Sequence, residues 1–221
     1  MEDHLFMQAR GLGSAEISDA LDYFGLPGSV PGIAAVAGPQ RLFGPAFTVR
    51  FAPADSHAPG TVGDYLDDIP AGAIAVLDNG GRGDCTVWGG IMSRLAAHRA
   101  IGGTVVDGVC RDTAEADGAG YPLFARGRFM RTGKDRVQVD AVGAPVSLGG
   151  VRVVPGDIVV ADQDGVVIVP AGRAHAVFER ALAMQEVEAR IVAAALDGMS
   201  LCDARRRFGY HTLQRKPAHA A

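Results

Sequence analysis

The spacing of apolar residues changes between helical and strand-like several times along the first half of the chain. Apolar side chains share one helical face over Ser14–Phe24, which predicts a short amphipathic helix with Ser14 as its N-cap. Helical spacing returns over residues 88–100. Residues 25–44 contain three prolines and five glycines and are predicted to form a loop. Short apolar runs predict strands at residues 46–51, 73–77 and 104–109.

The second half alternates short apolar runs with turns of Gly, Pro and Asp, which predicts a succession of strands. They are expected at residues 122–125, 137–142, 151–154, 157–161 and 166–169. An alanine-rich stretch over residues 171–196 predicts one long helix that ends before Gly198. This order of elements predicts the α/β fold class: a single domain over residues 1–202 with a mixed sheet, flanking helices and a long C-terminal helix. Residues 203–221 are predicted to form a basic tail.

Composition and charge limit the classes of protein to which the chain can belong. The net charge of -4 gives no general electrostatic support for binding nucleic acid or a membrane surface. No run of about 18 apolar residues occurs, and the N-terminus lacks the basic and apolar regions of a signal peptide. We therefore expect a cytoplasmic protein with no nucleic-acid or membrane partner, whose cysteines at positions 85, 110 and 202 are reduced thiols. Glycine, at 30 of 221 residues, is about twice as frequent as usual, which predicts many tight turns.

Lysine is nearly absent, and this limits the chemistry available to the chain. Of the 21 lysine and arginine residues, only Lys134 and Lys216 are lysines. The first lies in a predicted turn and the second in the predicted tail. An enzyme that forms a Schiff base needs a buried lysine with a lowered pKa. Neither lysine is a good candidate, so carbonyl chemistry here would have to polarise its substrate with a metal ion or an arginine.

Residues 78–115 carry the strongest chemical signal. A buried strand enters a glycine-rich loop there, and a second buried strand ends at Asp107, shortly before Arg111 and Asp112. Strand ends of this kind are where α/β proteins bind ligands. If a helical turn starts here, Asp112 and Glu115 share one face, and two carboxylates beside an arginine suit a hard cation together with a substrate carboxylate. The alternative is a solvated ion pair in which Asp112 caps a helix.

Other catalytic patterns receive little support. The glycine loop has Thr86 where a dinucleotide-binding fingerprint needs a third glycine, and it lacks the lysine of a phosphate-binding loop. The six histidines are scattered without the spacing of a zinc site. No histidine lies near Cys110 in the sequence, so a buried structural cysteine is the better interpretation. The arginines of the predicted tail could contact RNA or a protein, although a solvated or oligomer-bracing tail is the simpler explanation.

Several segments together resemble one known family. They are SAEISDALD (14–22), GPAFTVRF (44–51), AVLDNGGRGDCTVWGG (75–90), GTVVDGVCRD (103–112), PLFARG (122–127) and PGDIVVADQDGVVIVP (155–170). The chain resembles the 4-hydroxy-4-methyl-2-oxoglutarate/4-carboxy-4-hydroxy-2-oxoadipate aldolases, a family that also includes the regulator of ribonuclease E activity A. The resemblance implies a swivelling β/β/α fold, and trimers, sometimes stacked as hexamers, with active sites between subunits.

The same resemblance implies a class II aldolase that uses Mg or Mn. Such enzymes cleave 4-hydroxy-4-substituted 2-oxo diacids to pyruvate and a second oxo acid, and they decarboxylate oxaloacetate, both through a pyruvate enolate. Arg111 matches the arginine that holds the 2-oxo and carboxylate oxygens of the substrate, and Asp112 matches the direct ligand of the metal ion. The backbone cradle expected for the pyruvate carboxylate consists of Gly89, Gly90, Ile91 and Met92.

The chain departs from the commonest family pattern at Gly90. Many family aldolases carry an aspartate 21 residues before the arginine, and here that carboxylate is missing. The chain matches the family's other version, in which the arginine–aspartate pair is followed, after two residues, by Glu115. We infer that Glu115 replaces the lost carboxylate in holding metal-bound water. A glutamate from a neighbouring subunit's C-terminal helix also contributes in the family, and Glu188 or Glu186 is the candidate.

Two functional hypotheses follow from the sequence. The first is a metal-dependent carbon–carbon lyase, a pyruvate aldolase and oxaloacetate decarboxylase that acts on a small 2-oxo acid. The second is a non-catalytic protein that inhibits a ribonuclease E-like partner, and the basic tail is its only positive support. The ribonuclease regulators lack the complete metal-binding pattern, so its presence here favours the enzyme.

Overall fold

A computed structural model describes residues 4–213 of the chain. The chain divides into two compact units. One unit is Gly28–Ala171, and the other combines the residues before it with those after it. The single domain over residues 1–202 stays a prediction.

The unit Gly28–Ala171 is built on a mixed sheet, which over the described residues has nine strands, and on a separate two-stranded ribbon of β8 and β9. The strands are β1 (Ser29–Val30), β2 (Ala34–Ala37), β3 (Leu42–Pro53), β4 (Ile74–Thr86), β5 (Gly103–Cys110), β6 (Leu123–Arg128), β7 (Val137–Val142), β8 (Val146–Leu148), β9 (Val151–Val153), β10 (Ile158–Ala161) and β11 (Val166–Val169). Their order is β1-β11-β10-β3-β4-β5-β6-β2, with β7 also paired to β3. The central strands β3 to β6 pair in parallel and the outer pairs are antiparallel, so the predicted mixed sheet is confirmed.

Over the described residues the chain forms six α-helices. They are α1 (His4–Ala9), α2 (Ser14–Phe24), α3 (Gly90–His98), α4 (Thr113–Gly118), α5 (Ala174–Leu196) and α6 (Leu201–Arg207). Only α3 and α4 belong to the unit that contains the sheet, while the long C-terminal helix predicted from the sequence is confirmed as α5. No helix in residues 4–213 is long and apolar enough to cross a membrane.

The central parallel strands are buried on both faces because they carry mainly Val, Ile, Leu and Ala. Every residue of β5 is buried. Leu77, Trp88 and Tyr121 belong to one of the two apolar clusters, and Val105 and Phe124 belong to the other. Parallel pairing places the carboxyl ends of β4 and β5 side by side, so the segments that enter α3 and α4 emerge at the same edge of the sheet.

Two segments predicted as loops contain strands instead. Residues 25–44 include β1, β2 and the first residues of β3, and the two short strands lie at the sheet edges. Strand β1 has two residues and β2 has four, three of them alanine, so neither carries the alternation that marks a strand. The predicted glycine loop after residue 77 is also wrong in part, because β4 continues to Thr86 and stays paired with β5 through two register shifts. Bulges of this kind accommodate extra residues without ending a strand.

Several element ends also differ from the prediction. Helix α3 begins at Gly90 rather than at residue 88, because the backbone of Gly89 is extended, with φ −153° and ψ −166°. The N-cap of α2 is Gly13 rather than Ser14, and the Glu16 carboxylate accepts a hydrogen bond from the Gly13 amide. Strand β8 was not predicted. The predicted basic tail begins inside α6, and its residues 214–221 lie outside the described part of the chain.

Gly38→Ala is expected to destabilise the protein strongly, because Gly38 has a φ of +68° and an added methyl group would overlap the carbonyl group of Tyr121. Gly72→Ala is the matched control: its φ is +77° and nothing lies within 4 Å of the added methyl group. We expect the control to lose about 1 kcal/mol of unfolding free energy through backbone strain. Gly38→Ala should lose at least about 3 kcal/mol in urea unfolding, and equal losses would contradict the packing of Gly38 against Tyr121.

Candidate active site

Two chain segments that leave the sheet side by side form the walls of a cavity of about 430 Å³. One wall is residues 86–92, from the end of β4 to the start of α3, and the facing wall holds the side chains of Arg111, Asp112 and Glu115. The backbone amide of Arg111 donates to the Trp88 carbonyl at 3.1 Å, which ties the two segments together. The arginine and both carboxylates singled out from the sequence therefore line one cavity.

Asp112 adopts a backbone conformation that is rare for a residue other than glycine. Its φ is +55° and its ψ is +38°, at the position that precedes the first residue of α4. Its carboxylate does not cap α4. Instead, Oδ2 accepts a hydrogen bond from the Gly90 amide at 3.0 Å and lies 3.4 Å from Nε of Arg111. The side chain therefore does not cap α4 as the alternative supposed, although the exposed ion pair of that alternative is present. The carboxylate is held at the cavity wall, where a ligand can reach it.

The carboxylate of Glu115 occupies the space that a side chain at position 90 would fill. A methyl group built on Gly90 would lie 2.7 Å from Oε1 of Glu115, with the other two carboxylate atoms nearer still. A Cβ atom does not approach another atom this closely unless one of the two groups moves. Gly90 and Glu115 are therefore coupled: the carboxylate fills the volume above the glycine only because the glycine has no side chain.

Arg94 was not predicted from the sequence as a residue of the site. It lies on α3, and its Nε is 3.2 Å from Oε2 of Glu115. The available signal was its position four residues after Gly90, which places the two residues on the same face of a helix. Sequence spacing within α3 could not reveal that α4 brings Glu115 to that face.

The first turn of α3 offers amide groups to the cavity. In the part of the chain that the structure describes, the amide of Gly90 is taken by Asp112, whereas those of Ile91 and Met92 have no hydrogen-bond acceptor. The side chain of Trp88 supports this turn, because its Nε1 donates to Oγ of Ser93 at 3.0 Å. Free amides at a helix N-terminus attract anions, so the structure brings the predicted carboxylate cradle beside Arg111.

Apart from the three charged residues, the lining of the cavity is neutral. It includes Val62, Gly63, Thr86, Val87 and Thr132. Trp88 also lines the cavity, whereas Arg82 and Asp84, which precede it in the sequence, do not. Those two pair with each other through two hydrogen bonds of 2.9 and 2.8 Å, and the guanidinium lowers the pKa of the Asp84 carboxyl.

Glu186 and Glu188 lie on α5, in the other compact unit. Glu186 is exposed and Glu188 is half-buried. Burial raises the pKa of Glu188, and the nearby carboxylates of Asp19 and Glu16 raise it further. Their contribution to the site of a neighbouring subunit stays a prediction.

The donor groups at the cavity fit a hard divalent cation that keeps most of its water. In residues 4–213, no group of three or more His, Cys, Asp or Glu side chains could hold a metal ion. Asp112 and Glu115 nevertheless present two carboxylates to one cavity. Mg²⁺ is commonly held by one or two carboxylates, with water and substrate oxygens completing its coordination, so these residues suit Mg²⁺ or Mn²⁺ better than Zn²⁺.

A family model described as "RraA-like: Aldolase/RraA" matches residues 14–168. The chain belongs to this RraA-like family. It is 36% identical over 209 residues to "Protein DlpA" of Legionella pneumophila, covering 94% of this chain but only 34% of that protein. It is also 34% identical over 176 residues to the "Putative 4-hydroxy-4-methyl-2-oxoglutarate aldolase" of Halalkalibacterium halodurans, covering 79% of this chain and 80% of that one.

Solved structures support the RraA-like fold. An uncharacterized protein from Pseudomonas syringae pv. tomato has a TM-score of 0.84 and 42% identity, covering 91% of this chain and 96% of that one. Streptomyces coelicolor RraAS2, described as an unusual member of the RNase ES inhibitor RraA protein family, has a TM-score of 0.76 and 26% identity. That similarity covers 84% of this chain and 94% of RraAS2.

The three cysteines of this RraA-like chain are expected to differ sharply in reactivity. Burial raises the pKa of the Cys110 thiol to about 11 and also raises that of Cys85, whereas Cys202 is exposed. Because the thiolate is the reactive form, Ellman's reagent at pH 8 should modify one thiol rapidly and the other two only after denaturation. Cys202→Ser should remove the fast phase, and a fast phase that survives in this variant would contradict the burial of Cys85 and Cys110.

Proposed function

We propose that this chain is a metal-dependent carbon–carbon lyase that cleaves 4-hydroxy-4-methyl-2-oxoglutarate-type 2-oxo diacids to pyruvate and decarboxylates oxaloacetate. The observation that carries the proposal is the convergence of Arg111, Asp112, Glu115 and the free amides of α3 on one cavity. The name of the Halalkalibacterium relative, a putative 4-hydroxy-4-methyl-2-oxoglutarate aldolase, supports the aldolase assignment. We further propose that the protein acts as a homo-oligomer, a trimer or a hexamer.

Arg111 and the first turn of α3 bind the pyruvate half of the substrate. The planar guanidinium donates two parallel hydrogen bonds, which suits the oxygens of the 2-oxo and carboxylate groups. The amides of Ile91 and Met92 are placed to receive the carboxylate. These contacts fix the plane of the 2-oxo acid. The bond that breaks at C3 can then align with the π orbitals of the carbonyl group.

Cleavage moves the electron pair of the bond at C3 onto the 2-oxo oxygen. In the aldolase reaction the C3–C4 bond breaks, the 4-hydroxyl group loses its proton and C4 becomes a carbonyl carbon. In the decarboxylase reaction the same pair is left when CO₂ departs. Protonation at C3 then gives pyruvate in both cases. Arg111 stabilises the negative charge that develops on the 2-oxo oxygen, an effect that is often the largest in catalysis.

Asp112 would bind a Mg²⁺ or Mn²⁺ ion directly, and Glu115 would hold water bound to it. The ion would supply Lewis-acid stabilisation of an enolate. Glu115, or Glu188 from a neighbouring subunit, is the candidate for orienting the water through which protons reach C3 and leave the hydroxyl group. A lysine-based route finds no support, because Lys134 is exposed and does not line the cavity, and Lys216 lies outside the described residues.

The second candidate function is inhibition of a ribonuclease E-like enzyme, which the similarity to RraAS2 favours. The arginines of α6 are partly engaged inside their own unit: Arg205 lies over Tyr210, and Arg206 pairs with Asp203 at 3.4 Å. Capture of purified ribonuclease E by the full-length chain, without any metal-dependent release of pyruvate, would favour this function over the lyase.

Asp112→Ala is expected to reduce pyruvate release from oxaloacetate by at least about a hundredfold while the protein stays folded, because it removes the direct metal ligand. Asp84→Ala is the matched control, since Asp84 is an exposed acid outside the cavity lining. A coupled pyruvate assay with Mn²⁺, with Mg²⁺ and with EDTA measures both variants, and circular dichroism checks the fold. A fully active Asp112→Ala variant would overturn the metal assignment.

Glu115→Ala should lower the turnover rate by roughly tenfold to a hundredfold, because the carboxylate above Gly90 is lost. Adding Gly90→Asp to this variant should restore part of the rate, since the new side chain enters the volume that Glu115 leaves. Gly90→Asp alone should be impaired, because its carboxylate would overlap that of Glu115. If the double variant is no better than Glu115→Ala, the idea that one carboxylate replaces the other fails.

A further inference from the structure

We propose that Arg94 is a positioning residue that holds the carboxylate of Glu115 above Gly90. The ion pair and the packing above Gly90 are features of the structure. The consequence for metal binding and turnover rests on the proposed lyase function.

The geometry of the pair links two helices. Arg94 lies on the second turn of α3 and Glu115 in the first turn of α4, with Nε and Oε2 separated by 3.2 Å. The side chains are 64% and 47% exposed, so solvent screens the pair and its contribution to overall stability is small. The contact therefore acts by holding the flexible carboxylate of Glu115 in one position, rather than by stabilising the fold.

Glu115 needs such a partner more than an aspartate at position 90 would. A glutamate carboxylate has one more rotatable bond than an aspartate carboxylate, and it must give up rotamer freedom to stay in one place. The side chain of Glu115 also shares the cavity with Asp112, and the two like charges repel each other. Among the described residues, Arg94 is the ion-pair partner that Glu115 has, and its guanidinium opposes both effects.

Oε1 of Glu115 is left without an ion-pair partner by this arrangement. Arg94 approaches Oε2, so the second oxygen remains available to a ligand in the cavity. Arg111 is the corresponding ion-pair partner of Asp112, since its Nε lies 3.4 Å from Oδ2 of Asp112. Each carboxylate of the cavity thus has one arginine beside it, and the sequence spacing revealed only the second of these pairs.

Arg99 provides a matched control on the same helix segment. It follows α3 directly and forms an ion pair with Asp67 at 2.7 Å, and neither residue lines the cavity. Removal of Arg99 therefore deletes an exposed arginine and an ion pair of similar exposure without affecting Glu115.

The first experiment measures Mn²⁺ binding by electron paramagnetic resonance, together with oxaloacetate decarboxylation, in Arg94→Ala, Arg94→Lys and Arg99→Ala. Arg94→Ala should bind Mn²⁺ roughly tenfold more weakly and lose roughly tenfold in kcat. KM should change little, since Arg111 and the α3 amides are untouched. Arg94→Lys should restore part of both losses, and Arg99→Ala should match the unmodified protein.

The second experiment needs neither metal nor activity. Gly90→Ala must push the Glu115 carboxylate aside, and in the unmodified protein this breaks its contact with Arg94. The fall in Tm caused by Gly90→Ala should therefore be smaller by on the order of 2 °C in the Arg94→Ala background. In the Arg99→Ala background it should equal the fall in the unmodified protein. Thermal unfolding of the metal-free variants provides this double-mutant cycle.

The outcomes separate the two proposals. If Gly90→Ala lowers Tm equally in all three backgrounds, Arg94 does not position Glu115 and the inference is overturned, whatever the enzyme does. If the cycle shows coupling but the unmodified protein releases no pyruvate, the lyase proposal fails while the positioning of Glu115 stands. If the enzyme is active and Arg94→Ala equals Arg99→Ala in Mn²⁺ affinity and kcat, the lyase stands and the role of Arg94 in it is overturned.

Discussion

The candidate site depends on one constraint, the close approach of the backbone at the start of α3 to the segment that follows β5. Parallel pairing of β4 with β5 brings the two segments to the same sheet edge, and the hydrogen bond from Arg111 to Trp88 joins them. A methyl group added at Gly89 or Gly90 would collide with the side chains of Arg111, Asp112 or Glu115. The space is filled instead by carboxylates that reach across from the facing wall.

This constraint explains why Gly90 and Glu115 belong to one feature of the structure. A side chain at position 90 and the observed position of Glu115 exclude each other. A side chain at position 90 would therefore require the carboxylate of Glu115, the far end of a flexible side chain, to move from its observed position. The two positions are best interpreted together.

The parts of the fold and site that could be predicted are those that leave a local signal. Apolar runs located the central strands, and the spacing of Arg111, Asp112 and Glu115 placed them at one strand end. The backbone of Asp112 at φ +55° could not be predicted, because tertiary contacts with α3 overcome the preference of a non-glycine residue. The continuation of β4 through the glycines and the role of Arg94 also depend on neighbours that are distant in the sequence.

The near-absence of lysine has a consequence for charge as well as for covalent chemistry. A guanidinium keeps its proton and cannot form a Schiff base, so arginine can stabilise an enolate only as a fixed charge. The charged groups that line the cavity are one guanidinium, Arg111, and two carboxylates, Asp112 and Glu115. With Arg94 beside Glu115, two arginines balance the two carboxylates. These side chains therefore supply no net positive charge for a substrate that is already an anion and gains further negative charge on the way to its enolate. A bound divalent cation would supply that positive charge, which is the role that the proposed function gives to the metal ion.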